Sequence, residues 1–122
     1  MPRRTAAASA AAAALGLIAQ TFAPPASAVP APEVEYTYNV MVRRHYDFPN
    51  NDALGYGFRI CDHVKLGSTY SDVMSDVKRD VLPNDEQSAN YLVSYAVGIL
   101  CPAQIWSLRT SAAGYRPSDA VG

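Results

Sequence analysis

A chain of 122 residues, 49% hydrophobic and 17% charged, has the length and apolar content for one small globular domain. Its formal net charge is −1, and beyond residue 28 eight basic side chains stand against eleven acidic ones, net −3. With no basic stripe, that balance excludes ordinary nucleic-acid binding, and past the N-terminal segment no apolar run reaches the roughly 18 residues that span a bilayer.

The first element reads as an export signal. "MPRR" places two positive charges at the start, "TAAASAAAAALGLIAQTFA" follows without charge, and Ala26-Ser27-Ala28 is the small-x-small triplet that precedes cleavage. The competing reading is an alanine-rich helix. Arg3–Arg4 fits the general or the twin-arginine route. Cleavage after Ala28 leaves a stapled domain over 29–110 and a flexible C-terminal tail over 111–122.

Past the proline-containing leader "VPAP", Val34, Tyr38, Met41 or Val42, and His45 recur at near-helical spacing. Glu33 and Glu35 come first and Arg43 and Arg44 last, the order that a helix dipole favours. The spacing predicts a helix with that face inward, although "YTYNVMV" also alternates like a strand. "DFPNND" is a loop. In "ALGYGFRICDHVKLG", Asn51 or Asp52 caps a helix whose inward face holds Leu54, Phe58, Cys61 and Val64 or Lys65, and Gly67 ends it. Gly57, one turn before Cys61, weakens the helix by about 1 kcal/mol relative to alanine, and close approach of another helix would be a reason for it.

"STYSDVMSDVKRDVLP" opens on a capping box, Thr69 with Asp72, and sets Tyr70, Val73, Val77 and Val81 on one face. Asp72, Asp76 and Asp80 line another face, read as solvated. "NDEQSANYLVSYAVGILCP" uses Asn84 as cap with Gln87 at the third position. It is apolar almost all round, as a helix buried among others must be. Pro102 ends it at Cys101. "AQIWSLR" adds a turn that packs Trp106 and Leu108 back. The sum is an all-α fold, a small bundle of three to four short helices with one disulfide.

That disulfide follows from cysteine count and compartment: an exported chain with only Cys61 and Cys101 has one intramolecular pairing open to it. The alternative roles for Cys101 lack partners. A nucleophile would need His45 or His63 beside it, and "CPAQ" is no redox C-x-x-C. Cys61-Asp62-His63 are adjacent on a helix, so their side chains diverge by about 100° per residue and cannot share a metal. No hydrolase, phosphate-loop or zinc-protease motif occurs. No catalytic residue, metal ligand or cofactor is expected. Eight tyrosines offer an aromatic binding surface, with Tyr36, Tyr38, Tyr56, Tyr70, Tyr91 and Tyr95 as its candidates. The alternative is that they rim a small core with their hydroxyls wet.

Gly57, Cys61, Leu66, Gly67, Ala96, Cys101 and Pro102 form a pattern that resembles the small exported mycobacterial proteins grouped as domain of unknown function 732. The resemblance covers about residues 53–102. It departs from the family at "VKLG", where Leu66 stands directly against Gly67. It implies export and a helical fold, but no activity and no catalytic residues, because the family has none assigned. The function expected is a non-enzymatic binding or interaction module of the cell envelope. Its partner would be an envelope protein or a small ligand. The alternative is a small hydrolase or ligand carrier with a cleft between helices, which would need a pocket above about 300 Å³ containing a histidine and converging acids.

Overall fold

The computed structural model describes residues 30–120, and the signal expected over residues 1–28 lies outside the described residues. Among the described residues there is no strand. The elements are α1 (Pro32–Thr37), running straight into a π-helical turn (Tyr38–Arg43), α2 (Ala53–Lys65), α3 (Tyr70–Asp80), α4 (Glu86–Leu100) and α5 (Ile105–Ala112). The five α-helices among the described residues exceed the three to four expected, because the chain after Pro102 forms two full turns instead of one.

α4 is the centre. Ala89, Leu92, Val93, Ala96 and Val97 are all buried, and α1, α2 and α3 pack around it. Its cap is Asp85, which accepts a hydrogen bond from the Ser88 N–H at 3.0 Å. Asn84, the residue expected to cap it, instead takes a left-handed turn conformation (φ 62) that asparagine tolerates well. The Ser88 bonds hold the Asp85 carboxyl below the usual carboxylate range. α3 has the expected capping box, with Asp72 N–H donating to Thr69 Oγ1 and Thr69 N–H to Asp72 Oδ2. Tyr70, Val73, Met74 and Val77 form its buried face.

α2 is capped by Asp52, whose Oδ1 accepts from Gly55 N–H at 2.9 Å. Its buried face is Ala53, Tyr56, Gly57, Ile60, Cys61 and Val64. Phe58, expected inside, is exposed: it follows Gly57 by one residue and so points about 100° away from the seam. Gly67, at φ 106, ends the helix in the left-handed conformation that favours glycine.

α1 is helical, as its charge order implied, with Pro32 at its start. Its inward face is not the expected one. Tyr36, Asn39 and Val40 are buried, whereas Val34, Tyr38 and Val42 are 60%, 55% and 51% exposed. The cause is Gly57. A Cβ there would stand 2.7 Å from Tyr36 Cζ and 2.6 Å from Leu100 Cδ1. Its absence leaves the slot that the Tyr36 ring fills, with the hydroxyl donating to the Ala53 carbonyl at 3.1 Å.

Cys61 and Cys101 are bonded, with their Cα atoms 6.0 Å apart and a sequence separation of 40. Cys101 directly follows α4, its N–H donating to the Val97 carbonyl at 3.0 Å, so the bridge ties the end of α4 to the middle of α2. Among the described residues no single helix is long and apolar enough to cross a membrane.

The C-terminal segment expected to be a flexible tail folds back through Ala120. Tyr115 packs edge-on against Tyr70 with centroids 4.7 Å apart, and its hydroxyl donates to Glu86 Oε2 at 2.6 Å. Ser71 Oγ donates to the Asp119 carbonyl, and Ala120 is buried. Leu108 packs inward as expected, but Trp106 is 71% exposed, lying near Arg109.

Two predictions test this core. Reducing the bridge, or Cys61→Ala with Cys101→Ala, lowers unfolding stability by roughly 4 kcal/mol in urea titrations, the chain-entropy value for a loop of this size. Gly57→Ala gains helix propensity but collides with the hydrogen-bonded Tyr36 ring, so a net loss of about 1–2 kcal/mol is expected by the same measurement.

Candidate functional site

The most organised surface feature lies where α1 meets α4. Four planar groups stack from the core to solvent. Tyr36, at the bottom, lies 6.3 Å from Tyr95 at an interplanar angle of 19°. Tyr95 lies 5.3 Å from Tyr91 at 13°. The Arg44 guanidinium carbon stands 3.6 Å over the Tyr91 ring, a close cation–π contact. Tyr91 and Tyr95 are one α-helical turn apart on α4, so their rings align without strain.

The π turn supplies the other side. Its wider winding brings buried Asn39 against α4, where Asn39 Nδ2 donates to the Tyr91 hydroxyl. Arg44 caps the same turn, its N–H donating to the Asn39 carbonyl at 3.0 Å. A one-turn π insertion of this kind is rare and is found preferentially at functional sites.

Two open grooves meet at these tyrosines. The larger, about 640 Å³, is lined by Arg44, Gln87, Asn90, Tyr91 and Tyr95 with Ser88 and Ser94. No carboxylate is among those residues. The smaller, about 390 Å³, lies along α1 between Val34, Tyr38 and Arg43 on one side and Tyr91 and Tyr95 on the other. Amide, hydroxyl and guanidinium groups arranged around aromatic edges can orient a ligand by hydrogen bonds. The lining of the larger groove includes no group placed to act as nucleophile or general base, and the smaller groove adds one carboxylate, Glu35, which accepts a hydrogen bond from the Tyr95 hydroxyl at 3.4 Å.

The structure divides the six candidate tyrosines. Tyr36, Tyr38, Tyr91 and Tyr95 come together on this face, with Tyr36 buried beneath the others. Tyr56 and Tyr70 are core residues elsewhere. Tyr56 donates to Asp80 Oδ2 at 2.9 Å and Tyr70 to Asn90. The sequence marks Arg44 and Gln87 only as helix-end and capping residues, and gives Asn39, like them, no binding role. The one available signal was asparagine inside the apolar run "YTYNVMV".

The histidines lie apart from this face. His45 is exposed in the turn after Arg44, at φ 57. His63 Nδ1 is 3.5 Å from Asp76 Oδ2, in a polar cluster with Tyr56, Arg79 and Asp80. The cavity at that cluster measures about 70 Å³. The aspartates of α3 are engaged with one another's partners: Asp76 and Asp80 both pair with Arg79, and Asp72 belongs to the capping box. Among the described residues no three His, Cys, Asp or Glu side chains converge to hold a metal ion.

The fold and the site define a small, disulfide-linked, all-α domain with an aromatic groove. No protein-family model, curated protein or solved structure matches the chain.

Burial raises the Tyr36 hydroxyl well above the ordinary tyrosine range, with Asp52 adding to the effect. Burial likewise raises Tyr56, aided by its bond to Asp80, and Tyr95, aided by Glu35. A folded pKa above the unfolded value stabilises the protein below the unfolded pKa and ceases to do so as pH rises through the folded one. The melting temperature is therefore expected to fall once pH exceeds about 10, the unfolded tyrosine value. Phenolate absorbance should show Tyr36 and Tyr56 ionising together with unfolding, and titration of all tyrosines near pH 10 in the folded protein would contradict this.

Proposed function

We propose that the protein is an exported, non-enzymatic binding module of the cell envelope, and that it holds its partner in the groove over Tyr91 and Tyr95. The observation that carries this reading is the pairing of groove and chemistry. The 640 Å³ groove has ample room for a ligand but no catalytic constellation. The His63 cluster has acids and a histidine but only about 70 Å³ of space, well below the roughly 300 Å³ that ligand sites occupy. A hydrolase would need both in one place.

Export rests on the "MPRR…ASA" segment and agrees with a bridged pair of cysteines. The resemblance of Gly57, Cys61, Leu66, Gly67, Cys101 and Pro102 to the mycobacterial exported family supports the same compartment. The partner is an envelope protein or a small ligand carrying hydrogen-bonding groups that match Arg44, Gln87 and Asn90.

The test is retention of a partner from envelope extract on the exported protein, which is expected to begin at Val29. Arg44→Ala with Gln87→Ala alters two exposed side chains on opposite sides of the groove and leaves the core intact. Retention by the wild type and at least a tenfold loss in the double variant is the expected result. Equal retention by both, or turnover of a substrate that survives the double variant, would refute the reading.

A further inference from the structure

The outer face of α4 carries a polar strip. Gln87, Asn90 and Ser94 fall at steps of three and four, so they share one side of the helix, away from the buried Leu92, Val93 and Ala96. Asn90 and Ser94 line the larger groove. They also line a further hollow of about 300 Å³ on the α5 side, together with Tyr70, Arg109 and Tyr115. The two hollows share this strip and form one trough across α4. The end of the π turn walls one side with Arg44, and α5 walls the other with Arg109.

The charge of the trough runs against that of the chain. Acids outnumber bases eleven to eight beyond residue 28, yet no carboxylate lines either hollow. Glu86, which adjoins the strip in sequence, is held by Lys78 at 2.7 Å. Among the described residues neither Arg44 nor Arg109 belongs to an ion pair. Stacking on Tyr91 fixes the Arg44 guanidinium and leaves its N–H donors along its edge, where they suit a carboxylate.

The hydrogen bonds of the strip have the same polarity. Asn90 Oδ1 accepts from the Tyr70 hydroxyl at 2.5 Å and from Ser94 Oγ at 3.4 Å. That fixes which way the amide faces, and its two N–H donors, without a partner among the described residues, are left for a ligand. The aromatic faces are taken: Tyr91 lies between Arg44 and Tyr95, and Tyr95 between Tyr91 and Tyr36. Neither ring offers a face on which a sugar or a base could stack.

We propose that the trough holds an acidic stretch of a partner polypeptide in extended form, with carboxylates at Arg44 and Arg109 and a carbonyl oxygen accepting from Asn90. Walls rich in donors and free of acids call for an anionic, acceptor-rich ligand. The amides of Gln87 and Asn90 match peptide groups, and the closed aromatic faces argue against a glycan. This inference rests on the binding reading above and adds to it the chemistry of the ligand and a second hollow.

Amide NMR titration of the protein recovered from cells expressing the full chain tests it, with end-blocked heptaglutamate, heptaglutamine and heptagalacturonate as probes at low salt. Heptaglutamate is expected to bind with a submillimolar Kd, about tenfold more tightly than either other probe. Arg44→Gln and Arg109→Gln should each weaken it about fivefold. Arg59→Gln and Lys65→Gln remove the same charge outside the trough and should change it less than about twofold. Asn90→Asp keeps an oxygen for the Tyr70 hydroxyl but sets an anion on the trough floor. It should cost about tenfold in affinity with the melting temperature unchanged. Heptaglutamine binding as well as heptaglutamate, or heptagalacturonate binding more tightly, overturns the proposal. So do equal losses in the Arg59 and Lys65 variants, or full affinity in Asn90→Asp. Should Arg44→Gln disturb the stack over Tyr91, Arg109→Gln and Asn90→Asp still decide. An envelope partner lost in Arg44→Ala with Gln87→Ala, yet retained by Arg109→Gln and Asn90→Asp, overturns this inference and leaves the binding reading standing. No retained envelope partner, with heptaglutamate discriminated as expected, refutes the envelope partner and supports the acidic-peptide trough.

Discussion

Tyr36 seated on Gly57 is the contact on which the other arrangements depend. It joins three helices at one point, since the ring belongs to α1, the glycine to α2, and Leu100 of α4 closes the same slot. The hydroxyl is satisfied by the Ala53 carbonyl, so a polar atom enters the core without the penalty of a lost hydrogen bond. Once this ring is fixed, α1 has no rotational freedom left. Val40 and Asn39 must face inward, and Val34, Tyr38 and Val42 must face out. The same ring is the lowest member of the stack that climbs through Tyr95 and Tyr91 to Arg44. One glycine therefore governs a core seam, an exposed ridge and the wall of a groove.

The bridge acts on a neighbouring seam. Gly57 and Cys61 lie one turn apart on α2, and Leu100 and Cys101 adjoin each other at the end of α4. Close approach at the glycine and a covalent bond at the cysteine thus address the same pair of helices. A domain of this size buries too small a fraction of its unfolded surface to rest on apolar packing alone. Concentrating both devices on α2 and α4 leaves α1 held by side-chain packing, where surface specificity is built.

What could be read from the sequence divides by the kind of signal. Caps and breakers act locally, so Thr69–Asp72, Asp52, Gly67, Pro83 and Pro102 delimited α2, α3 and α4 to within a residue or two. The bridge followed from counting two cysteines. The face of α1 was not legible, because tyrosine and valine occur on both of its sides and only the distant Gly57 decides between them. The same ambiguity hid the site: six tyrosines look alike in sequence, yet Tyr56 and Tyr70 sit in the core while Tyr91 and Tyr95 line a groove. The return of the C-terminal segment was missed because its anchors, Tyr115 on Tyr70 and Glu86, are separated by 29 residues or more and follow no period.

The position of the bridge has a mechanical consequence. Residues 62–100, which include α3 and all of α4, lie inside the closed loop, whereas α1, most of α2 and α5 lie outside it. Tension applied through the two ends of the chain passes across the sulfur–sulfur bond and never loads the enclosed segment. About 130–140 Å of extensible chain is withheld as long as the bond is intact. The two elements that pulling can peel away first are α1 and α5, so the face carrying Tyr38 is also the part of the domain most open to release by force.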